Sequence, residues 1–138
     1  MKFKSCDKMQ KAIEQILESH HLLETFRSTE EFYVKISNEP YMPLTIEKNG
    51  NQVVVAHYYT QNGDLMPDPD VEFEIYQGVW LPVAIQHSTG KYVRTMEGEG
   101  EKRILFLDDY DDLHEFSDFW AGNLLDQGFT KGKVERVE

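Results

Sequence analysis

The chain is poor in residues that carry several common chemistries. Its single cysteine, Cys6, excludes an intramolecular disulfide and any zinc cluster built from cysteines. No run of about 18 apolar residues occurs, and no apolar stretch follows the first residues, so neither a transmembrane helix nor a signal peptide is expected. We therefore expect a cytoplasmic protein, in a reducing compartment, that makes no contact with a membrane.

Basic residues are also scarce. Lysine and arginine number 14 against 25 aspartates and glutamates, which gives a formal charge of −11. A charge of this size favours solubility and opposes direct binding to the phosphates of nucleic acid. The length of 138 residues suits one domain with a real core, so we treat residues 1–138 as a single domain.

Motifs for covalent catalysis and phosphate binding are absent from the sequence. It holds no Gly-x-Ser-x-Gly nucleophile elbow, and Gly98 and Gly100 lie between glutamates that would repel a phosphate. Pro67-Asp68 resembles the start of a metal-dependent nuclease core, but Glu72-Phe-Glu stands where that core has Glu-x-Lys. We therefore assign no catalytic residue, and the sequence favours a protein that is not an enzyme.

Apolar periodicity predicts helices at both ends of the chain and strands between them. Residues 5–26 carry apolar side chains on one helical face and are predicted to form a helix. Short apolar or alternating runs around turns at Asn49-Gly50 and Gly78 predict antiparallel strands. The predicted strands are 32–37, 44–48, 52–60, 71–76 and 79–86, with another near 91–96.

A second helix is predicted to begin at Asp108 or Asp109 and to end before Gly128. Its buried stripe is predicted to be Leu113, Phe116, Trp120 and Leu124. The tail 130–138 shows no evident partner and is expected to fray. The predicted architecture is α+β: an antiparallel β-meander of about five strands with the N-terminal and C-terminal helices packed on one face.

The segment from His57 to Phe73 is rich in polar side chains. It combines a histidine, two tyrosines and several carboxylates around an Asn62-Gly63 turn and a Pro-Asp-Pro step. Its hard oxygen ligands suit Ca²⁺ or Mg²⁺, but their spacing does not match an EF-hand loop. Turn chemistry explains the Asn-Gly pair and the two prolines, so a β-turn-β connection is the favoured interpretation.

Six side chains of this segment form a candidate functional cluster. They are His57, Tyr59, Asn62, Asp64, Asp68 and Asp70. If a divalent cation binds, Asp64, Asp68 and Asp70 are its predicted ligands, and no other cofactor is expected. Folding alone leaves His57, Tyr59 and Asp68 unexplained, although a buried strand histidine is a simpler interpretation than a general base.

Acidic residues concentrate between residues 97 and 126. Ten carboxylates stand there against two basic residues, Lys102 and Arg103. A continuous surface of this kind would imitate the phosphates of DNA and occupy a basic DNA-binding protein. A solvated helix face is the simpler alternative.

Three ordered motifs carry a resemblance to a known family. They are His57-Tyr-Tyr-x-Gln-Asn-Gly-Asp-Leu-Met-x-Asp-Pro-Asp-x-x-Phe73, then Leu81-Pro82 with Gln86 and Gly90-x-Tyr92, then Phe116-x-x-Phe-Trp120-x-x-Asn-Leu124-x-x-Gln-Gly-Phe129. Over roughly residues 44–129 the chain resembles an uncharacterised bacterial domain of unknown function that is associated with conjugative elements, plasmids and phages. The resemblance implies a mobile-element setting and supplies no reaction.

The motifs also predict how the C-terminal helix docks. We expect it to lie near the 57–70 connection with Trp120 and Phe129 as anchors, and with Asn123 and Gln127 hydrogen-bonded where they are buried. The leading hypothesis is a non-enzymatic domain that binds a protein partner, with DNA mimicry or antirestriction as its sharper form. The alternatives are a divalent-metal-dependent hydrolase that uses His57 with the three aspartates, and a homodimer within a larger assembly.

Overall fold

The computed structural model describes residues 4–138, in which one large antiparallel sheet and three α-helices make an α+β fold. The helices are α1 (Asp7–Ser19), α2 (Leu23–Ser28) and α3 (Leu107–Asp126). The strands are β1 (Glu31–Asn38), β2 (Tyr41–Asn49), β3 (Gln52–Gln61), β4 (Asp64–Tyr76), β5 (Val79–Gln86), β6 (Tyr92–Arg94), β7 (Met96–Glu97), β8 (Ile104–Leu105) and β9 (Lys133–Val137). None of the helices within the described range is long and apolar enough to cross a membrane.

The predicted meander is confirmed and is larger than expected. The main sheet has seven strands in the order β6-β5-β4-β3-β2-β1-β9, and β7 pairs with β8 in a separate two-stranded ribbon. The expectation of about five strands missed β7, β8 and β9 because each is short and carries little alternation of its own.

Side chains of the sheet alternate between two faces. One cross-strand row on the helix face runs through Val34, Ile46, Val55, Val71 and Ile85. These side chains are buried with apolar residues of α1 and α3 in one core, so both helices pack on this face as predicted. The neighbouring row, on what we call the open face, runs through Lys35, Thr45, Ala56, Asp70 and Gln86.

The prediction of one helix over residues 5–26 is wrong. The first helix ends at Ser19, and His21 takes a left-handed conformation with φ of 60°. The Leu22 N–H donates to the Leu17 carbonyl at 2.8 Å and the His21 N–H donates to the Glu18 carbonyl at 3.0 Å. This is the Schellman pattern that closes a helix, here with histidine in the place usually taken by glycine.

The tail also differs from its expectation of fraying. Residues Lys133–Val137 form β9, which pairs with β1 at the edge of the sheet. Gly132 permits the approach, since a Cβ there would lie 2.6 Å from the Ser37 carbonyl oxygen. Sequence periodicity did not reveal this strand because its partner lies about a hundred residues earlier in the chain.

Candidate functional site

The segment 57–73 forms the hairpin of β3 and β4. Asn62 and Gly63 have φ of 53° and 84°, as a two-residue hairpin turn with positive φ at both positions requires, so the β-turn-β interpretation is confirmed. Pairing of β3 with β2 stops at His57, and pairing of β4 with β5 stops at Asp70. Residues 58–69 therefore project from the sheet as a two-stranded segment, which we call the arm.

His57 lies at the base of the arm, where β2 and β3 separate. Its ring is 5% exposed, and Nδ1 donates a hydrogen bond to the Pro43 carbonyl at 3.0 Å. The ring centroid is 5.5 Å from that of Trp120 and 5.8 Å from that of Phe129. The imidazole thus satisfies a strand carbonyl where the backbone ladder ends and joins the sheet to the C-terminal aromatics.

Burial lowers the pKa of His57 from its ordinary value, although Pro43 and the Asp68 carboxylate act in the opposite direction. The neutral ring is therefore the form that the fold favours. Because the folded-state pKa is depressed, the stabilisation is complete above the unfolded pKa of about 6.5 and is lost as the pH falls towards the folded pKa.

We expect the pH dependence of stability to reveal this histidine. His57→Gln retains an amide donor for the Pro43 carbonyl and does not titrate. The free energy of unfolding of the wild type should therefore fall relative to that of the variant between about pH 7 and about pH 5. Urea denaturation at each pH measures the difference, and a constant difference across this range would show that His57 is not held neutral.

The other polar residues of the segment lie apart from one another. Asp64 is exposed at the tip of the arm, Asp68 is half-buried near His57, and Asp70 faces the open side of the sheet. The Tyr58 hydroxyl donates to Asp70 at 2.5 Å, and burial together with this carboxylate raises the tyrosine pKa. Within residues 4–138, no three His, Cys, Asp or Glu side chains are grouped so as to hold a metal ion.

Tyr59 and Asn62 complete the candidate cluster. Tyr59 is half-buried and pairs with Met66, and Asn62 occupies the hairpin turn. The arm and the first residues of β2 border a cleft of about 500 Å³ on the open side of the sheet. Three tyrosines, Tyr33, Tyr58 and Tyr59, line it together with Lys35 and Glu47.

Four residues were predicted to anchor the C-terminal helix, and they lie at the base of the arm or near the end of α3. They are Trp120, Asn123, Gln127 and Phe129. Trp120 is 5% exposed and stacks on Phe116, and Phe129 is fully buried. The Gln127 carbonyl accepts a hydrogen bond from Asn38 Nδ2 at 2.6 Å, whereas its side-chain Oε1 is buried without a protein partner among the described residues. Asn123 is half-buried, and its carbonyl accepts the backbone N–H of Gln127.

Cys6 does not offer a reactive thiol. Its side chain is fully buried in the core, and burial raises its pKa to about 12. A thiol that stays protonated at physiological pH is a weak nucleophile. The structure therefore gives the one cysteine of the sequence a packing role.

Among the helices of the described residues, α3 has the most acidic outward side. The helix carries seven carboxylates and no lysine or arginine. At helical spacing, one line along its solvent side, which we call the α3 face, carries Asp108, Asp112, Glu115, Phe119 and Asp126. Phe119 lies in the middle of this line with 67% of its surface exposed.

Folding does not explain the α3 face completely. Asp108 lies in the first turn, where the helix dipole favours negative charge. Asp126 lies in the last turn, where the dipole opposes negative charge and no basic residue stands. Phe119 gains little from the core at its observed exposure.

Neutralising Asp126 is expected to stabilise the protein. Asp126→Asn removes a charge from the negative end of the helix dipole and should raise the free energy of unfolding by about 0.3–1 kcal/mol. The matched control is Asp108→Asn at the other end of α3, which should lower it. Urea denaturation at low salt measures both, and a destabilising Asp126→Asn would assign that carboxylate a folding role.

Sequence reasoning missed Phe119 as a functional candidate. The signal was present, because Phe119 lies outside the predicted buried stripe and follows Glu115 by one helical turn. Exposure of the ring became visible only when the face that α3 buries was known.

Comparison with known protein families places the chain among domains of unknown function. The family model described as a domain of unknown function (DUF6908) matches residues 11–130, and the chain belongs to this family. The matched region includes the arm and all of α3 and ends before β9. No curated protein and no solved structure matches the chain.

Proposed function

We propose that this domain is a protein-interaction module that binds a basic surface of a partner through the α3 face. The observation that carries the proposal is Phe119, an aromatic ring exposed over 67% of its surface in the middle of a line of carboxylates. Isolated exposed apolar residues are ordinary, but large aromatic residues are enriched in protein–protein interfaces, where they are buried by the partner.

Two features of the α3 face oppose stability rather than support it. Asp126 stands at the unfavourable end of the helix dipole, and Phe119 leaves most of its apolar surface in water. They lie two helical turns apart on the same side, with Glu115 one turn before the ring. Binding by a partner would use both features, because it would desolvate the ring and neutralise the carboxylates.

The negative charge of α3 determines which kind of protein surface it can bind. Seven carboxylates without a basic residue on α3 attract a surface rich in lysine and arginine and repel an acidic one. Such charges chiefly raise the association rate, and the aromatic anchor supplies affinity once the complex has formed. Affinity should therefore fall with added salt and depend strongly on the ring.

DNA mimicry is the specific form of this proposal. A DNA-binding protein presents a basic surface adapted to a line of phosphates, and a line of carboxylates along a rigid helix offers it similar charges. An antirestriction role would suit the mobile-element setting that the motif resemblance implies, since a mobile element gains from occupying a host protein that would cleave or silence its DNA. No reaction by the domain itself is required.

Competition for a DNA-binding protein tests the proposal. Labelled duplex DNA is bound to a basic nucleoid protein or to a restriction enzyme at about 50 mM salt, and the domain is titrated in while fluorescence anisotropy is followed. We expect the DNA to be displaced, and displacement to weaken at about 300 mM salt. Failure to displace DNA from any member of such a panel at low salt would contradict the mimicry.

Removing two carboxylates at different places distinguishes binding through the α3 face from a general effect of the net charge. The variant Glu115→Gln/Asp126→Asn removes two carboxylates from the α3 face. The control Glu18→Gln/Glu24→Gln removes two exposed carboxylates from α1 and α2. The proposal predicts that the first variant displaces DNA less effectively than the control does, whereas equal loss by both would attribute displacement to net charge alone.

A further inference from the structure

We infer that a second surface, an apolar groove on the open side of the sheet, binds a basic amphipathic helix of a protein partner. The groove has a volume of about 740 Å³ and is lined by Tyr76, Leu81, Leu105 and Leu107 together with Gly100, Glu101 and the Glu74–Arg103 pair. Its size lies within the range of ordinary ligand pockets, about 300–1,000 Å³. We call it the loop groove.

The loop groove is built by the segment between β6 and α3, which folds back over β4 and β5. The Arg103 guanidinium donates two hydrogen bonds, of 2.8 and 3.0 Å, to the Glu74 carboxylate. The Phe106 N–H donates to the Thr95 carbonyl at 2.8 Å. At Gly98, φ is 83° and a Cβ would lie 2.9 Å from the Lys102 carbonyl oxygen, so the loop turns tightly there. These contacts hold the wall of the groove in place before any partner arrives.

Large apolar side chains remain exposed at the mouth of the loop groove. Leu107 is 58% exposed and Tyr76 is 48% exposed, whereas Leu81 forms a floor that is only 2% exposed. Ile104 and Phe106, the neighbours of Leu105 in the same segment, are 59% and 37% exposed but do not line the groove. Exposed apolar side chains around a concave apolar floor are typical of an interaction site.

The charges around the loop groove select its occupant. Glu101 lines it, and the neighbouring sequence adds Glu97, Glu99, Asp108 and Asp109 against Lys102, while Arg103 is paired with Glu74. A second copy of this acidic chain would be repelled, as would nucleic acid, whereas lysines and arginines that flank an apolar stripe complement this rim.

The shape of the loop groove favours a helix over an extended strand. Most of its lining consists of side chains, and β4, which contributes Glu74 and Tyr76, is already paired on both sides by β3 and β5. An added strand needs a free sheet edge, whereas an amphipathic helix inserts apolar side chains spaced one turn apart. The sheet residues that line the groove, Glu74, Tyr76 and Leu81, lie on the open face. Of the α3 face only Asp108 stands near the groove, so the inference does not depend on Glu115, Phe119 or Asp126.

Two synthetic peptides test the inference. Both contain the same numbers of leucines and lysines, but in one the leucines recur at helical spacing and in the other the order is scrambled. We expect the helical peptide to bind the full chain at least about tenfold more tightly in fluorescence anisotropy. Equal affinity for both peptides would mean that only charge is recognised and would overturn the inference.

Variants locate the bound peptide. Leu107→Ser should weaken the helical peptide about tenfold, whereas Leu65→Ser on the arm, at a position with 68% exposure, should leave its affinity unchanged. The variant Glu115→Gln/Asp126→Asn should preserve the preference for the helical peptide. Loss of that preference in this variant, or equal effects of the two serine substitutions, would place the peptide elsewhere. Circular dichroism and urea denaturation confirm that each variant remains folded.

Discussion

Replacement of Trp120 by alanine is expected to lower the free energy of unfolding by about 3–5 kcal/mol. Trp120 is 5% exposed and packs between Phe116 and the ring of His57. Its removal leaves a cavity where α3 meets the base of the arm. Small domains are stable by about 5–15 kcal/mol, so this one substitution should remove a large part of the stability.

The neighbouring aromatic residue is the control for this prediction. Phe119 lies beside Trp120 in the sequence, but it is 67% exposed, so Phe119→Ala should change the free energy of unfolding by no more than about 0.5 kcal/mol. Urea denaturation of both variants provides the comparison. Similar losses for the two alanine variants would contradict the assignment of Trp120 to the interior and Phe119 to the surface.

Phe119→Ala is instead expected to have its large effect on binding. If the ring anchors the α3 face in a partner, its truncation should raise the concentration needed to displace DNA from the basic protein by about 30-fold or more, the loss of a typical hot-spot residue. The matched control is Leu65→Ala, which removes a side chain of 68% exposure from the arm. Displacement by Phe119→Ala equal to that of the wild type would remove the ring from the interface.

Local patterns predicted most of the architecture. The Asn62-Gly63 turn requires positive φ at two positions, and the alternation of Val71 and Phe73 with Glu72 fixes which side of β4 is buried. Both features depend on neighbours in sequence. The antiparallel strands of the predicted α+β fold followed from such features, and the helices at both ends followed from apolar residues at helical spacing.

Features that depend on distant residues escaped prediction. The helix break at His21 lacks the usual glycine, and β9 is a strand because β1 offers it an edge. The loop groove exists because Arg103 reaches Glu74, which lies 29 residues earlier in the chain. No local sequence pattern predicts a contact between residues that lie so far apart in the chain.

The candidate site was also predicted only in those features that depend on local sequence. The sequence singled out the 57–73 segment for its polar residues, and the structure distributes them among a core contact, a turn and the open face. His57 is accounted for by its hydrogen bond to Pro43 and its contact with Trp120. Phe119 was not among the predicted site residues, and its exposure on α3 makes the α3 face a stronger candidate for binding than the arm.

Amide chemical-shift mapping of the complex tests the binding surface most directly. Isotopically labelled domain is titrated with the DNA-binding protein that it displaces from DNA. The largest perturbations are expected along the outward residues of α3 from Asp108 to Asp126, centred on Phe119, with the arm unperturbed. Perturbations centred on residues 58–69, with α3 unchanged, would contradict the proposal and would show that the partner binds the arm.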